Sequence, residues 1–363
     1  MKEKEMRKEG ELTKSDAMKL RIEDLARPSV LKLKPYASAK DEFKDFERDL
    51  VFIDANENPY ENGMNRYPDP NQSRLKDKIA KLKQVPAEQI LLGNGSDEIL
   101  DLIFRVFMEP GKDNIVISVP TFGMFKVLCG INDIECRTAM LDGEFQLQTR
   151  QIESRVDLNT KALFICSPNN PTGNLMRKSD ILKLLELRCL VVVDEAYVDF
   201  ANSKSMTEMI ANYPNLVVTQ TFSKAMGMAG IRLGMCFAQR AVIDLLKKVK
   251  MPYNVNVLSQ QAALLHLEDT ASVEAEIKSI LQGRSWLESE LPACRVVDRV
   301  FPSDSNFLLI RVDDADLRYK QLIEAGVVVR NRSKEPLCDQ CLRITVGTQQ
   351  ENEKLITVLK GFE

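Results

Sequence analysis

The stretch LVVVDEAYVDF, Leu190–Phe200, sets four apolar residues together, three of them valines, and then closes the run on an acid, Asp194. A strand with one wet face alternates apolar and polar residues. One that is apolar at every position is covered on both faces, as in parallel sheets between helices. A carboxylate at the end of such a strand needs a cation or a ligand, unless it caps a helix. Tyr197, three residues on, can face the same cleft.

Further short β-rich runs stand on either side as strand candidates: LVFID, QILLG, NIVIS, IECRT, ALFICS, NLVVTQ and GMCFA. Helical patterns separate several of them, such as Asp97 to Phe107 and Ser179 to Leu187. From about residue 50 to 250 this predicts an α/β fold, a mainly parallel sheet sandwiched by helices. In such sheets ligands sit at the carboxyl ends of the strands. After residue 250 the rhythm changes. Two long helical patterns, roughly 256–268 and 270–291, precede short strands in RVVDRV, NFLLIRV, GVVVRN and CLRITV, then a closing helix. The division expected is an N-terminal arm over 1–50 packing on the small domain, a large cofactor-binding domain over 51–252, and a smaller α+β domain over 253–363.

A chain of 363 residues, 44% hydrophobic and 28% charged, has ample material for a buried core. Its net charge of -3 provides no broad basic field for nucleic acid or anionic lipid. No stretch approaches the roughly 18 consecutive apolar residues of a membrane helix. The start, MKEKEMRKEGELTKSDAMK, lacks the apolar centre of a signal peptide and reads as a solvated lead-in. A cytoplasmic location is expected. Most of the eight cysteines stand in apolar runs, where free cysteine behaves as a small hydrophobe. Cys338 and Cys341 form a C-x-x-C pair, but a zinc site needs further ligands. The single histidine, His266, falls in an amphipathic helical pattern, which leaves histidine-centred catalysis and metal sites with one weak candidate.

Three further segments carry chemistry. LLGNGSDEIL, Leu91 to Leu100, is a strand end, a glycine turn and a helix start. Free N–H groups and the helix dipole make such a turn an anion cup, with Gly95 permitting close approach and Ser96 bonding a phosphate oxygen or capping the helix. CSPNNPTGN, Cys166 to Asn174, is a fixed turn that holds Asn169 and Asn170 at a strand's carboxyl end. TQTFSKAMGMAGIRLG, Thr219 to Gly234, puts Lys224 among small and apolar residues, with Ser223 before it and Arg232 eight positions on.

Together these suggest a buried lysine held as a Schiff base to pyridoxal phosphate. Desolvation favours the neutral amine needed to attack a carbonyl. An aspartate at the pyridine nitrogen keeps the ring an electron sink. Asparagine and tyrosine can bond the ring phenolate, while Ser96, Ser223 and Arg232 can hold the phosphate.

The segments SPNNPTG, VVVDEAY, SKAMGMAGIRLG and LRITVG resemble the class I/II aminotransferases of fold type I. Within that family, LKPYASA, DANENP, RYPDP and PTFGMF are most similar to the histidinol-phosphate aminotransferases, and the resemblance runs from about Leu25 to the C-terminus. It implies transamination between histidinol phosphate and glutamate or 2-oxoglutarate. It implies that Lys224 is the catalytic lysine, Asp194 the pyridine-nitrogen partner, and Asn170 and Tyr197 the pair at the ring oxygen. Ser223, Arg232 and the backbone of Ser96 and Asp97 then take the phosphate. Phe122 stacks on the ring, where the family commonly has tyrosine. Tyr67 reaches the phosphate of the other subunit, so a homodimer with shared active sites is implied. The substrate residues implied are Tyr36, Asn58, Arg330 and Arg343; no metal is implied.

Other readings share part of this pattern. Aromatic aminotransferases and threonine-phosphate decarboxylases carry most of the same motifs. A cofactor-binding regulator would normally add a DNA-binding module, for which the first 50 residues are not basic enough. A nicotinamide dehydrogenase lacks its third glycine here and leaves Lys224 unexplained.

Overall fold

The computed structural model describes residues 20–34 and 51–362. Seven strands form the central sheet: β1 (Ile90–Asn94), β2 (Asn114–Val119), β3 (Glu135–Met140), β4 (Thr160–Cys166), β5 (Leu190–Asp194), β6 (Leu216–Thr221) and β7 (Leu233–Ala238). Their order across the sheet is β1-β7-β6-β5-β4-β2-β3. All run parallel except β7, which is antiparallel to both neighbours. β5 and β6 are buried at every residue, the apolar run Leu190–Val193 as expected and in β6 the polar Thr219, Gln220 and Thr221 as well. Apolar layers close both faces, one around Ile99, Phe104 and Phe164, the other around Leu163, Val193 and Phe237.

The second sheet is antiparallel and has the order β10-β11-β9-β8, built from β8 (Val297–Val300), β9 (Phe307–Val312), β10 (Arg330–Asn331) and β11 (Cys341–Thr345). The helices Thr270–Glu290, Ala315–Glu324 and Gln349–Lys360 pack around it over a core that includes Leu287, Leu308, Leu342 and Leu355. The helix Val257–His266, with which the smaller unit was expected to begin, packs instead on the large-domain helix Ser73–Lys83. GVVVRN keeps only two residues in strand, and Val328 is exposed.

Two expectations are corrected here. LVFID contributes no strand over its described residues, and Val51 and Ile53 are 85% and 91% exposed. A strand needs a partner to pair with, and neither sheet pairs with these residues. The described part of the arm packs on the large domain, not the small one. Leu20, Ile22, Leu25 and Val30 join the core beside the helices Gly95–Phe107 and Arg240–Val249. Arg27 fixes this contact, its backbone N–H donating to the Val106 carbonyl at 2.9 Å and its side chain pairing with Glu109 at 3.2 Å. Among the described residues no helix is long and apolar enough to cross a membrane, and no group of three or more histidine, cysteine or acidic side chains is placed to hold a metal ion. All eight cysteines are free, and Cys136 is only half-buried.

Candidate active site

The carboxyl ends of β1, β4, β5 and β6 meet at one cleft of about 320 Å³. The small sheet closes its far wall with Arg330 and Arg343, which stand opposite one another across β10 and β11. The same cleft is lined by Ser96, Asp97, Phe122, Asn170, Asp194, Tyr197, Ser223, Lys224 and Arg232.

At the β1 end, the helix Gly95–Phe107 starts directly from the strand, and no side chain caps it. The Gly95 N–H is taken by the Arg232 carbonyl at 2.8 Å. The next amides of the first turn have no partner within the helix and carry the positive end of its dipole. The Arg232 guanidinium stands beside this end, 3.4 Å from the Asp97 carboxylate. Backbone approach here is extreme. A Cβ on Gly234 would lie 2.3 Å from the Gly95 carbonyl carbon and from the Ser96 nitrogen, and one on Gly95, where φ is +73°, would lie 2.8 Å from the Arg232 guanidinium.

Asp194 is buried at the end of β5. Burial pushes its carboxyl up to about 6, against hydrogen bonds from the Thr219 hydroxyl, at 3.1 Å, and from the Ala196 N–H. Asn170 accepts a hydrogen bond on Oδ1 from Arg343, which leaves its NH2 as the donor it can offer. Its neighbour Asn169 is fully buried and serves the turn, bonding the Pro120 carbonyl, Thr121 and Thr172. The Tyr197 ring packs edge-on against Phe307, and burial holds its phenol well above the usual tyrosine range.

Lys224 departs from expectation in one respect: it is open to the cleft, not buried. It sits where β6 has ended and the chain turns, so its side chain lines a wall and stays out of the core. The walls still crowd its ammonium, which lies 5.4 Å from the centre of the Tyr197 ring. Desolvation is the main cause that lowers its pKa; the Arg343 charge adds to this, while Asp194 and Asp97 oppose it.

Two of the foreseen residues do not line this cleft. Tyr67 is half-exposed and stacked on Tyr253 at 4.4 Å, and Asn58 is exposed, its Oδ1 accepting from the Tyr60 N–H at 2.9 Å. Tyr36 lies outside the described residues. The sequence reading missed Arg332, which lines the cleft beside Arg330 and Arg343. Its signal was the two-residue spacing in RNR, which returns a strand side chain to the same face.

A lysine at the turn after β6, an acid at the end of β5 and an uncapped helix start beside an arginine define an enzyme of one family. The chain belongs to the class I and II aminotransferases, whose family pattern matches residues 40–359. Members of this family depend on pyridoxal phosphate, and this chain is a pyridoxal-phosphate-dependent aminotransferase. It is 52% identical over 341 residues to the histidinol-phosphate aminotransferase of Flavobacterium johnsoniae, a match covering 93% of this chain and 98% of that one. Among solved structures it is similar to the histidinol-phosphate aminotransferase of Clostridium acetobutylicum, with a TM-score of 0.76 and 27% identity over 82% of this chain and 90% of that one. It also resembles the L-threonine-O-3-phosphate decarboxylase of Porphyromonas gingivalis, with a TM-score of 0.69 and 25% identity over 81% and 90%.

The residues present fit the cofactor. Ser223 Oγ is buried with no hydrogen-bond partner in the chain. With the free amides of the helix start and the Arg232 fork, it makes a donor set matched to a phosphate. Asp194 offers a buried acceptor to a ring nitrogen, and Phe122 a flat apolar surface at the cleft wall.

Proposed function

We propose that the enzyme transfers the amino group between L-histidinol phosphate and 2-oxoglutarate, giving imidazole-acetol phosphate and glutamate. The observation that carries this reading is a second anion subsite. Arg330 and Arg343 line the small-sheet wall, apart from the uncapped helix start at which the cofactor phosphate would be held. A donor carrying its own phosphate, and an acceptor carrying a second carboxylate, both call for such a wall. The names of the relatives in Flavobacterium and Clostridium support the same substrate.

When bound, pyridoxal phosphate supplies a carbonyl that condenses with amines and a ring that takes up the electron pair released at the substrate's Cα. The chain's own residues do the rest. Ser223, Arg232 and the Ser96 and Asp97 amides would hold the phosphate, and the NH2 of Asn170 and the Tyr197 hydroxyl would bond the ring oxygen. The Asp194 carboxylate, once it faces a cationic ring nitrogen, is favoured in its ionised form and keeps that nitrogen protonated. Lys224 Nζ takes the proton from the substrate's Cα and returns it on the other side of the transfer. Its lowered pKa leaves more of it as the neutral base at a given pH than an ordinary lysine would have. Arg343 and Arg330 bind the substrate anion and so orient the Cα–H bond toward that amine.

The assembly that best suits the site is a homodimer. Tyr67 stands outside its own cleft, next to a segment that exposes Val51, Ile53, Tyr60 and Met64. Apolar surface of that kind marks a partner contact, and a second subunit would then receive Tyr67. A cytoplasmic location accords with eight free cysteines. The test is a half-reaction: purified loaded enzyme is given histidinol phosphate alone and the conversion of its absorbance band is followed. No conversion by histidinol phosphate, with ready conversion by phenylalanine or carbon dioxide release from threonine phosphate, would reject the reading.

A further inference from the structure

Three arginines, not two, face the substrate side of the cleft. Arg330 and Arg343 are paired across β10 and β11, and Arg332, just past the end of β10, lines the same cleft. Arg332 is fixed by its backbone, which donates to the Cys341 carbonyl at 2.8 Å and accepts from the Glu335 N–H at 2.9 Å. Its Nε, like that of Arg343, is buried without a hydrogen-bond partner. Among the described residues, Arg330 and Arg343 have no acid within ion-pair distance. Arg332 has only Glu335, at 3.7 Å with both side chains partly exposed, and a pair of that kind is worth little. Arg332 and Arg330 both work against the charge on Arg343.

We propose that Arg332 is a specificity-determining residue that makes the cleft select amino donors bearing a phosphate over those bearing a carboxylate or no second anion. The inference rests on the proposed substrate and deepens it. A carboxylate has two oxygens and is matched by one guanidinium fork. A phosphate monoester has three terminal oxygens and a charge near -2 above its second pKa of about 6. Two arginines already saturate the first anion, so a third adds binding only to the second. The mutual repulsion of the three cations is relieved most by the more highly charged ligand.

The experiment compares histidinol phosphate, histidinol and glutamate as amino donors for the wild type, Arg332→Gln and Arg332→Lys. Visible absorbance of the bound cofactor and melting temperature serve as controls for folding and loading. The wild type must first prefer histidinol phosphate to histidinol; if it does not, the substrate reading fails, and with it this inference. Given that preference, Arg332→Gln should lower kcat/KM for histidinol phosphate by roughly tenfold or more, the effect of one lost charged hydrogen bond. It should lower kcat/KM for histidinol and glutamate by no more than about threefold, with the loss falling on KM. Arg332→Lys, which keeps the charge but not the fork, should fall between. The gain in affinity for histidinol phosphate as pH rises through about 6 should be smaller in Arg332→Gln than in the wild type. An unchanged ratio between phosphate and non-phosphate donors in Arg332→Gln, with cofactor loading intact, would overturn the inference and leave the substrate reading standing. Equal losses for all three donors would overturn it too, since they would mark a structural role.

Discussion

Asp194 pits stability against function in a way that can be measured. Its carboxyl is carried from the usual 3.8 to about 6, chiefly because it is buried at the end of β5. At about 1.4 kcal/mol for each tenfold in proton affinity, that costs the ionised form about 3 kcal/mol. The sign follows from proton binding. Between pH 3.8 and 6 the folded chain holds more protons at this site than the unfolded chain, so stability is lost as pH rises through that window and stays lost above it. Asp194→Asn keeps the shape and the oxygen that accepts from Thr219, but is neutral throughout. In the cofactor-free protein the variant should therefore exceed the wild type by about 3 kcal/mol at pH 8 and by roughly half of that at pH 5. Urea titrations at the two pH values, with equal slopes for the two proteins, read this difference directly. Other titrating groups cancel between the proteins. The same substitution should lower kcat by roughly a hundredfold or more, because a neutral amide cannot stabilise a protonated ring nitrogen. A variant no more stable than wild type at pH 8, or a difference that does not grow between pH 5 and 8, would refute the desolvated carboxylate.

Gly234→Ala should weaken pyridoxal phosphate binding by about tenfold or more in a spectrophotometric titration, because the new methyl group must push back the Gly95–Ser96 backbone that forms the anion cup. Unchanged affinity would show that the cup tolerates displacement. Arg343→Ala should reduce kcat/KM for both histidinol phosphate and glutamate by about 1.5–3 kcal/mol, the value of a hydrogen bond to a charged group; a loss confined to one substrate would assign it to one anion only. Lys224→Ala should abolish transamination while leaving the melting temperature within a few degrees of wild type, since the side chain lines a cleft and supports no core. Mixing Lys224→Ala with Tyr67→Ala protein should restore activity through hybrids with one intact composite site, as read by activity after subunit exchange; verified hybrids without activity would argue against a shared site.

Much of this site was legible because its residues stand where strands end. The apolar runs ALFIC in β4, LVVV in β5 and LVV in β6 mark buried strands, and Asn170, Asp194 and Lys224 stand at or shortly beyond the carboxyl ends of those strands. What was not legible depends on partners remote in sequence. LVFID has strand-like composition, yet pairing requires a neighbouring edge that local sequence does not reveal. The apolar residues of the arm fix that it must be covered, but not that helices Gly95–Phe107 and Arg240–Val249 do the covering. Arg332 stands one residue past the run GVVVRN and outside the Arg330–Asn331 strand, so the strand pattern passed over it although it follows Arg330 by two residues. The exposure of Lys224 is also invisible in its apolar surroundings, since Phe222, Ala225 and Met226 are buried around a side chain that is not.

The direction of β7 is the feature on which the rest of the site turns. In a wholly parallel sheet the chain leaving β6 would cross back and begin its next strand at the opposite edge, carrying Arg232 away from the cleft. Because β7 is antiparallel to β6, Thr221 and Gly234 are register partners, and the connection leaves and re-enters the sheet at the same edge. Lys224 and Arg232 are thereby delivered to one cleft from a single loop. β7 is also antiparallel to β1, with Asn94 opposite Leu233, so the start of helix Gly95–Phe107 is brought against that same loop. Gly234 allows the approach, and the Arg232 carbonyl takes the one amide, that of Gly95, which points back at the loop. The reversal of one strand thus places the reacting amine and the anion cup side by side, while Asp194 at the end of neighbouring β5 lies within the same walls. Asn170 beyond β4 and Phe122 beyond β2 complete the walls that a cofactor with a phosphate at one end and a carbonyl on its ring would meet.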